Sequence, residues 1–218
     1  MPQSPPYVTA ATLCATAPVI PVLVVDNPAH AKPLARALVA GGLPVLEVTL
    51  RTPAALEVIA EMAQLPGAIV GAGTVLGAAD LHAAEQAGAR FAVSPGLTDT
   101  LLAASRQVDI PFLPGVFTPG EAMHAHEQGF SALKLFPAKQ AGGIGMLKAM
   151  SGPLPDLRFC PTGGIDVQNF IDFLSLPNVI CAGGSWVCPA SAVQNHDWDR
   201  IRQLAQDVHR AIAQVENS

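Results

Sequence analysis

The stretch "PVLEVTLRTPAALEVIAEMAQLPGAIVGAGTV" (44–75) decides the fold. Its opening "PVLEVTL" (44–50) and its close "AIVGAGTV" (68–75) are short apolar runs bounded by turn residues, which read as strands. Between them "PAALEVIAEMAQ" (53–64) spaces its apolar residues as a helix does, with proline at its start. Strand, helix, strand is the unit of a parallel sheet, because parallel neighbours need a crossover between them.

The same beat continues in both directions. Further apolar runs are "VIPVLVV" (19–25), "FAVSP" (91–95), "PFLPGV" (111–116), "ALKLF" (132–136), "RFCPTGG" (158–164) and "VICAGGSW" (179–186). Helical stretches such as "HAKPLARALVAGG", "AADLHAAEQAG", "TDTLLAASRQ" and "PGEAMHAHEQG" fall between them. Eight units, spaced by roughly 20 to 26 residues, leave no room for a second domain and favour closure into a (β/α)8 TIM barrel, α/β in class. A single domain over 1–218 is therefore expected, with an extra N-terminal helix at 8–17 closing its bottom and a final amphipathic helix at 197–215. An open doubly wound sheet is the alternative, but no GxGxxG follows the first strand.

Composition narrows the function classes. Half of the 218 residues are apolar and 13% are charged, too hydrophobic for a disordered chain. The net charge of −5 and the lack of any Lys/Arg cluster give no footprint for nucleic acid or an anionic membrane. The run "ATAPVIPVLVV" (15–25) holds two prolines and meets Asp26 at once, which fits a buried strand better than a leader or a membrane span. Cys14, Cys160, Cys181 and Cys188 show neither a CxxC pair nor ligand spacing with histidine, and read as reduced thiols of a cytoplasmic protein. The histidines lie on helices or loops without metal-ligand spacing, so no metal and no cofactor is expected.

In such a barrel the functional groups come from the C-terminal ends of the strands. "LEVTLR" places Glu47, Thr49 and Arg51 on one face. Thr74 ends the third strand, Ser94 and Pro95 the fourth, and Lys134 stands between Leu133 and Leu135 in the sixth. Thr162, Gly163 and Gly164 follow the seventh strand; Gly183, Gly184 and Ser185 follow the eighth. Taken singly, Glu47 and Arg51 also allow a structural interior ion pair, and Lys134 reads equally as an amine snorkelling to the mouth. Thr74 alone reads as a strand-end hydroxyl, and the glycines as turn residues. Together, an acid, a guanidinium and an amine at interior or strand-end positions point to chemistry.

An amine in a low-dielectric cavity near another cation is a usable nucleophile, and its partner is a ketone or aldehyde. The resulting iminium draws electrons from a C–C bond two carbons away. The cleavage needs a proton acceptor and later a donor, for which Glu47 is the one interior carboxylate. Arg51 suits a substrate carboxylate. "TGG" and "GGS" at the last two strand ends suit a phosphate, with backbone N–H groups as donors and Ser185 adding a hydroxyl.

"GGLPVLEVTLRTP", "VGAGTVL", "FAVSPG", "FLPGVFTP", "ALKLFPA", "FCPTGGI" and "CAGGSW", in order over residues 19–187, resemble the 2-keto-3-deoxy-6-phosphogluconate (KDPG) and 4-hydroxy-2-oxoglutarate (KHG) aldolases. The resemblance implies a metal-independent class I aldolase, a homotrimer acting on a small 2-keto acid. It implies Lys134 as the Schiff-base lysine, Glu47 as acid and base, Arg51 and Thr74 as carboxylate contacts, and Pro95 and Phe136 as pocket lining. Gly163, Gly164, Gly184 and Ser185 would hold phosphate. Thr162 would meet the C4 hydroxyl of the gluconate-derived isomer, where sister enzymes for the galactonate epimer tend to carry an apolar residue. The loop "AKQAGG" (138–143) departs from the family in carrying Lys139 and Gln140 where relatives tend to carry a glutamate. The rival readings are a phosphosugar isomerase or epimerase on the same barrel, which forms no covalent adduct, and a non-catalytic phosphoryl-ligand binder.

Overall fold

The computed structural model describes residues 9–216. Val8, where the expected N-terminal helix begins, lies outside them. The strands are β1 (Val19–Leu23), β2 (Val45–Thr49), β3 (Ile69–Gly73), β4 (Ala92–Val93), β5 (Phe112–Leu113), β6 (Gly115–Val116), β7 (Ala132–Leu135), β8 (Arg158–Pro161) and β9 (Ala182–Gly184). Each apolar run of the sequence contains at least one of them. All ladder pairs are parallel.

The eight-stranded (β/α)8 TIM barrel expected from the sequence is not what forms. The strands make a six-stranded sheet of order β5-β4-β3-β2-β1-β9 and a separate three-stranded sheet of order β6-β7-β8. Proline explains both interruptions. Having no N–H to donate, it is poorly placed inside a ladder. Pro114 cuts "PFLPGV" in two, so that β5 pairs with β4 in one sheet and β6 with β7 in the other. On the opposite side β8 ends in Pro161. There the sheets touch only through isolated bridges, Phe159 with Val179 and Thr162 with Gly183.

The sheets still share a core. Ile20, Val45, Val93 and Leu113 of the larger sheet meet Ala132 and Cys160 of the smaller in one apolar cluster. A single short helix, α1 (Ala10–Cys14), adds Leu13 and Cys14 to that cluster, and Thr9 caps it with a reciprocal capping box. β2 is buried at every position, as a central parallel strand covered on both faces must be.

The outer layer is helical: α2 (Ala31–Ala40), α3 (Ala55–Ala63), α4 (Ala78–Gln86), α5 (Asp99–Ser105), α6 (Pro119–Glu127), α7 (Gly143–Ser151), α8 (Phe170–Leu174), α9 (Ala190–Gln194) and α10 (Trp198–Glu216). Threonines start α5 and α6: Thr98 accepts from Leu101 N and Thr118 from Glu121 N. α10 packs along α2 and buries Ile201, Ala205 and Val208. Among the described residues no helix is long and apolar enough to cross a membrane.

Candidate active site

Because all the strands run parallel, the strand-end residues gather at one end of the molecule. Glu47 lies in β2 and Lys134 in β7, so the two come from different sheets. Lys134 Nζ donates to Glu47 Oε1 at 3.0 Å, with the residues 5% and 3% exposed. Taking both charges out of water costs several kcal/mol per ion, recovered only by close pairing. The interior acid therefore pairs with Lys134, not with Arg51, and Lys134 does not snorkel to solvent.

Arg51 follows β2 and is exposed. Its Nε donates to Thr49 Oγ1 at 3.2 Å, and Thr49 in turn donates to Leu23 O at 2.8 Å. Thr49 thus braces the guanidinium against the neighbouring strand, a role suggested in the sequence only by its place on the Glu47 face.

The carboxylate needs room that the neighbouring strand supplies. Gly73 lies opposite Thr49 in the β2–β3 register, and a Cβ there would overlap Glu47 Oε1. The sequence signal for this residue is a glycine inside a strand, the mark of a close approach. Phe136 is half-buried with its ring centroid 5.2 Å from Lys134 Nζ, within cation–π range.

Thr74 has φ +59, a conformation that a β-branched residue rarely adopts. Its neighbours impose it: Leu50 N donates to Gly73 O at 2.8 Å and Val75 N to Val93 O at 3.1 Å. Strain of this kind costs about 1–3 kcal/mol and gathers at functional sites. Pro95 is half-buried after β4, its backbone so close to Gly115 that a Cβ there would overlap it.

At the other side of the site Thr162 is buried, and its hydroxyl donates to Cys160 O at 3.4 Å. Gly183 has no Cβ that would overlap this hydroxyl. In the turn that follows, the carbonyls are all engaged. Thr162 O accepts from Ala138 N at 2.8 Å, Gly163 O from Lys139 N at 3.0 Å and Gly164 O from Asn169 Nδ2 at 3.0 Å. With φ of +97° and +77°, Gly163 and Gly164 take the chain through a left-handed turn after these engaged carbonyls. Two consecutive left-handed glycines let the backbone approach an anion closely. Gly184 ends β9 and Ser185, the next residue, is exposed.

Three thiols, Cys14, Cys160 and Cys181, lie in the shared core, with Cys14 within electrostatic reach of Glu47 and Cys160 of Lys134. Interaction with Cys160, then burial, pushes the Cys14 thiol up, and interaction with Cys14 and Cys160, then burial, does the same to Cys181. Interaction with the Cys14 and Cys181 thiols, helped by the nearby Lys134 charge, holds Cys160 down. All four cysteines are free. Among the described residues no group of three or more His, Cys, Asp or Glu is arranged to hold a metal.

A sequence model of the family described as KDPG and KHG aldolase matches residues 11–204. The chain belongs to that family. It is 53% identical over 190 residues to the 2-dehydro-3-deoxy-phosphogluconate aldolase of Pseudoalteromonas atlantica, covering 87% of this chain and 88% of the relative. The solved KDPG aldolase of Legionella pneumophila, with pyruvate captured as a covalent carbinolamine, is 47% identical at a TM-score of 0.90, covering 92% of this chain and 98% of that one. The KDPG aldolase of Zymomonas mobilis with 3-phosphoglycerate is 48% identical at a TM-score of 0.86, covering 89% and 92%. KDPG/KHG aldolases are lyases, and this chain is one of them.

Proposed function

We propose that the chain cleaves 2-keto-3-deoxy-6-phosphogluconate to pyruvate and glyceraldehyde 3-phosphate, and 4-hydroxy-2-oxoglutarate to pyruvate and glyoxylate, through a Schiff base on Lys134. The observation that carries the reading is the buried contact of 3.0 Å between Lys134 Nζ and Glu47 Oε1. It pairs the amine with the one group able to take its proton and return it.

The steps follow from that contact. A proton passes from the ammonium to Glu47, which removes both buried charges at once. The free amine adds to the C2 carbonyl of the substrate, giving a carbinolamine whose oxygen takes up a proton. Protonated again by Glu47, that hydroxyl leaves as water and the iminium remains. Glu47 then takes the proton of the C4 hydroxyl as the C3–C4 bond breaks. Its electron pair passes to the iminium nitrogen, so aldehyde and enamine form together. Glu47 returns the proton to C3, and water releases pyruvate and regenerates the amine.

Arg51, held by Thr49, and Thr74 receive the substrate carboxylate, and Pro95 and Phe136 line the pyruvate pocket. Thr162 meets the C4 hydroxyl and favours the gluconate isomer, because a site built to bond a hydroxyl discriminates strongly. Gly163, Gly164, Gly184 and Ser185 take the phosphate. In this reading the enzyme serves sugar-acid breakdown by the Entner–Doudoroff route, as a cytoplasmic homotrimer.

Incubation with pyruvate and sodium borohydride, followed by intact mass and peptide mapping, tests the proposal. One reduced pyruvate adduct on Lys134, absent from folded Lys134→Arg, is the expected result. Protein that is folded yet forms no adduct would remove Lys134 from the nucleophile's role and favour an isomerase.

A further inference from the structure

We infer that Lys139 is a specificity residue of this site: its ammonium recognises the phosphate of the longer substrate and raises the preference for it over the unphosphorylated 4-hydroxy-2-oxoglutarate. This rests on the reading above, in which phosphate lies at the turn after β8.

Three observations place Lys139 there. Its main chain is pinned to the turn, since Lys139 N donates to Gly163 O at 3.0 Å and the preceding Ala138 N to Thr162 O at 2.8 Å. Its side chain lies across the second glycine, because a Cβ on Gly164 would overlap Lys139 Cβ and crowd Cδ. And its charge is uncommitted: Lys139 is exposed, and its ammonium has no ion-pair or hydrogen-bond partner among the described residues. Of the chain's four lysines, Lys32 is paired with Glu61 and Lys134 with Glu47.

The absence of a side chain on Gly164 therefore does two things. It lets the turn backbone approach an anion closely, and it lets the aliphatic stem of Lys139 lie flat against the turn. A flexible ammonium at the edge of an amide cradle adds a mobile point charge to fixed dipoles. A phosphate ester carries about −1.5 to −2 charges near neutral pH. The unphosphorylated substrate instead ends in a carboxylate at C5, one carbon and an ester oxygen short of the phosphate, so the charge at Lys139 bears on it less. Because the ammonium is exposed, its pull is screened by salt.

The test is steady-state cleavage of both substrates by wild type, Lys139→Ala and Lys139→Arg at low and high ionic strength. In Lys139→Ala the KM for the phosphorylated substrate should rise about tenfold at low salt with kcat kept. The gap should narrow as salt is added, the unphosphorylated substrate should change less than twofold, and Lys139→Arg should restore most of the loss. Inorganic phosphate should also inhibit Lys139→Ala more weakly than wild type. An unchanged KM, or an equal loss on both substrates, would overturn the assignment while leaving the aldolase reading intact. Wild type that forms the pyruvate adduct but does not cleave the phosphorylated substrate would overturn the reading itself, and this inference with it.

Discussion

Lys134 and Glu47 stand 87 residues apart in the chain and 3.0 Å apart in space, one on each sheet. Removing one partner leaves the other charge buried and alone. Lys134→Met should therefore cost about 3–5 kcal/mol in urea unfolding, whereas Lys134→Met/Glu47→Met should cost far less than the sum of the single changes. Additive costs would mean that the pair is not coupled in solution.

Gly73 supplies the space for the Glu47 carboxylate. Gly73→Ala should displace that carboxylate and lower kcat by about a hundredfold, with the circular dichroism spectrum unchanged. Full activity in Gly73→Ala would show that the carboxylate does not need that position.

Thr74 is held at φ +59. A glycine there relieves the strain of a left-handed β-branched residue but loosens the unfolded chain. The net expectation for Thr74→Gly is a gain of about 1 kcal/mol in unfolding free energy. The KM for pyruvate-derived substrates should rise with it, since a hydroxyl leaves the site. Lower stability in Thr74→Gly would refute the strain.

Burial pushes the Cys188 thiol from 9.0 up to about 12. The unfolded chain loses this proton first, so its contribution to stability is complete below pH 9.0 and fades as pH climbs towards 12. Cys188→Ser should flatten the alkaline fall in melting temperature. At pH 8 the native thiol should also react with iodoacetamide far more slowly than the unfolded one.

Much of this architecture is legible in the sequence, because buried parallel strands are continuous apolar runs and helices keep their period. All eight apolar runs contain strand, and the amphipathic α10 lies where its pattern places it. How the strands share ladders is less legible, because that turns on two missing N–H groups, at Pro114 and Pro161, within runs that otherwise read as ordinary strands. The site divides in the same way. Lys134 betrays itself by its apolar neighbours, and Glu47 by its place in an apolar strand. That Glu47 meets Lys134 and not Arg51, four residues along its own chain, depends on how two sheets face each other. The clearance at Gly73 and the backbone of Thr74 likewise follow from neighbouring strands, which no local pattern records.

The break at Pro114 has a bearing on how this molecule acquires its activity. The amine belongs to one sheet and the carboxylate to the other; the Gly163–Gly164 turn follows β8, and Ser185 follows β9. Neither sheet by itself carries a complete set. On the roles proposed for these residues, turnover reports on assembly: an intermediate with both sheets formed but undocked would have near-native secondary structure and be silent. During refolding, the return of pyruvate trapping would time the docking of the sheets, independently of any optical probe.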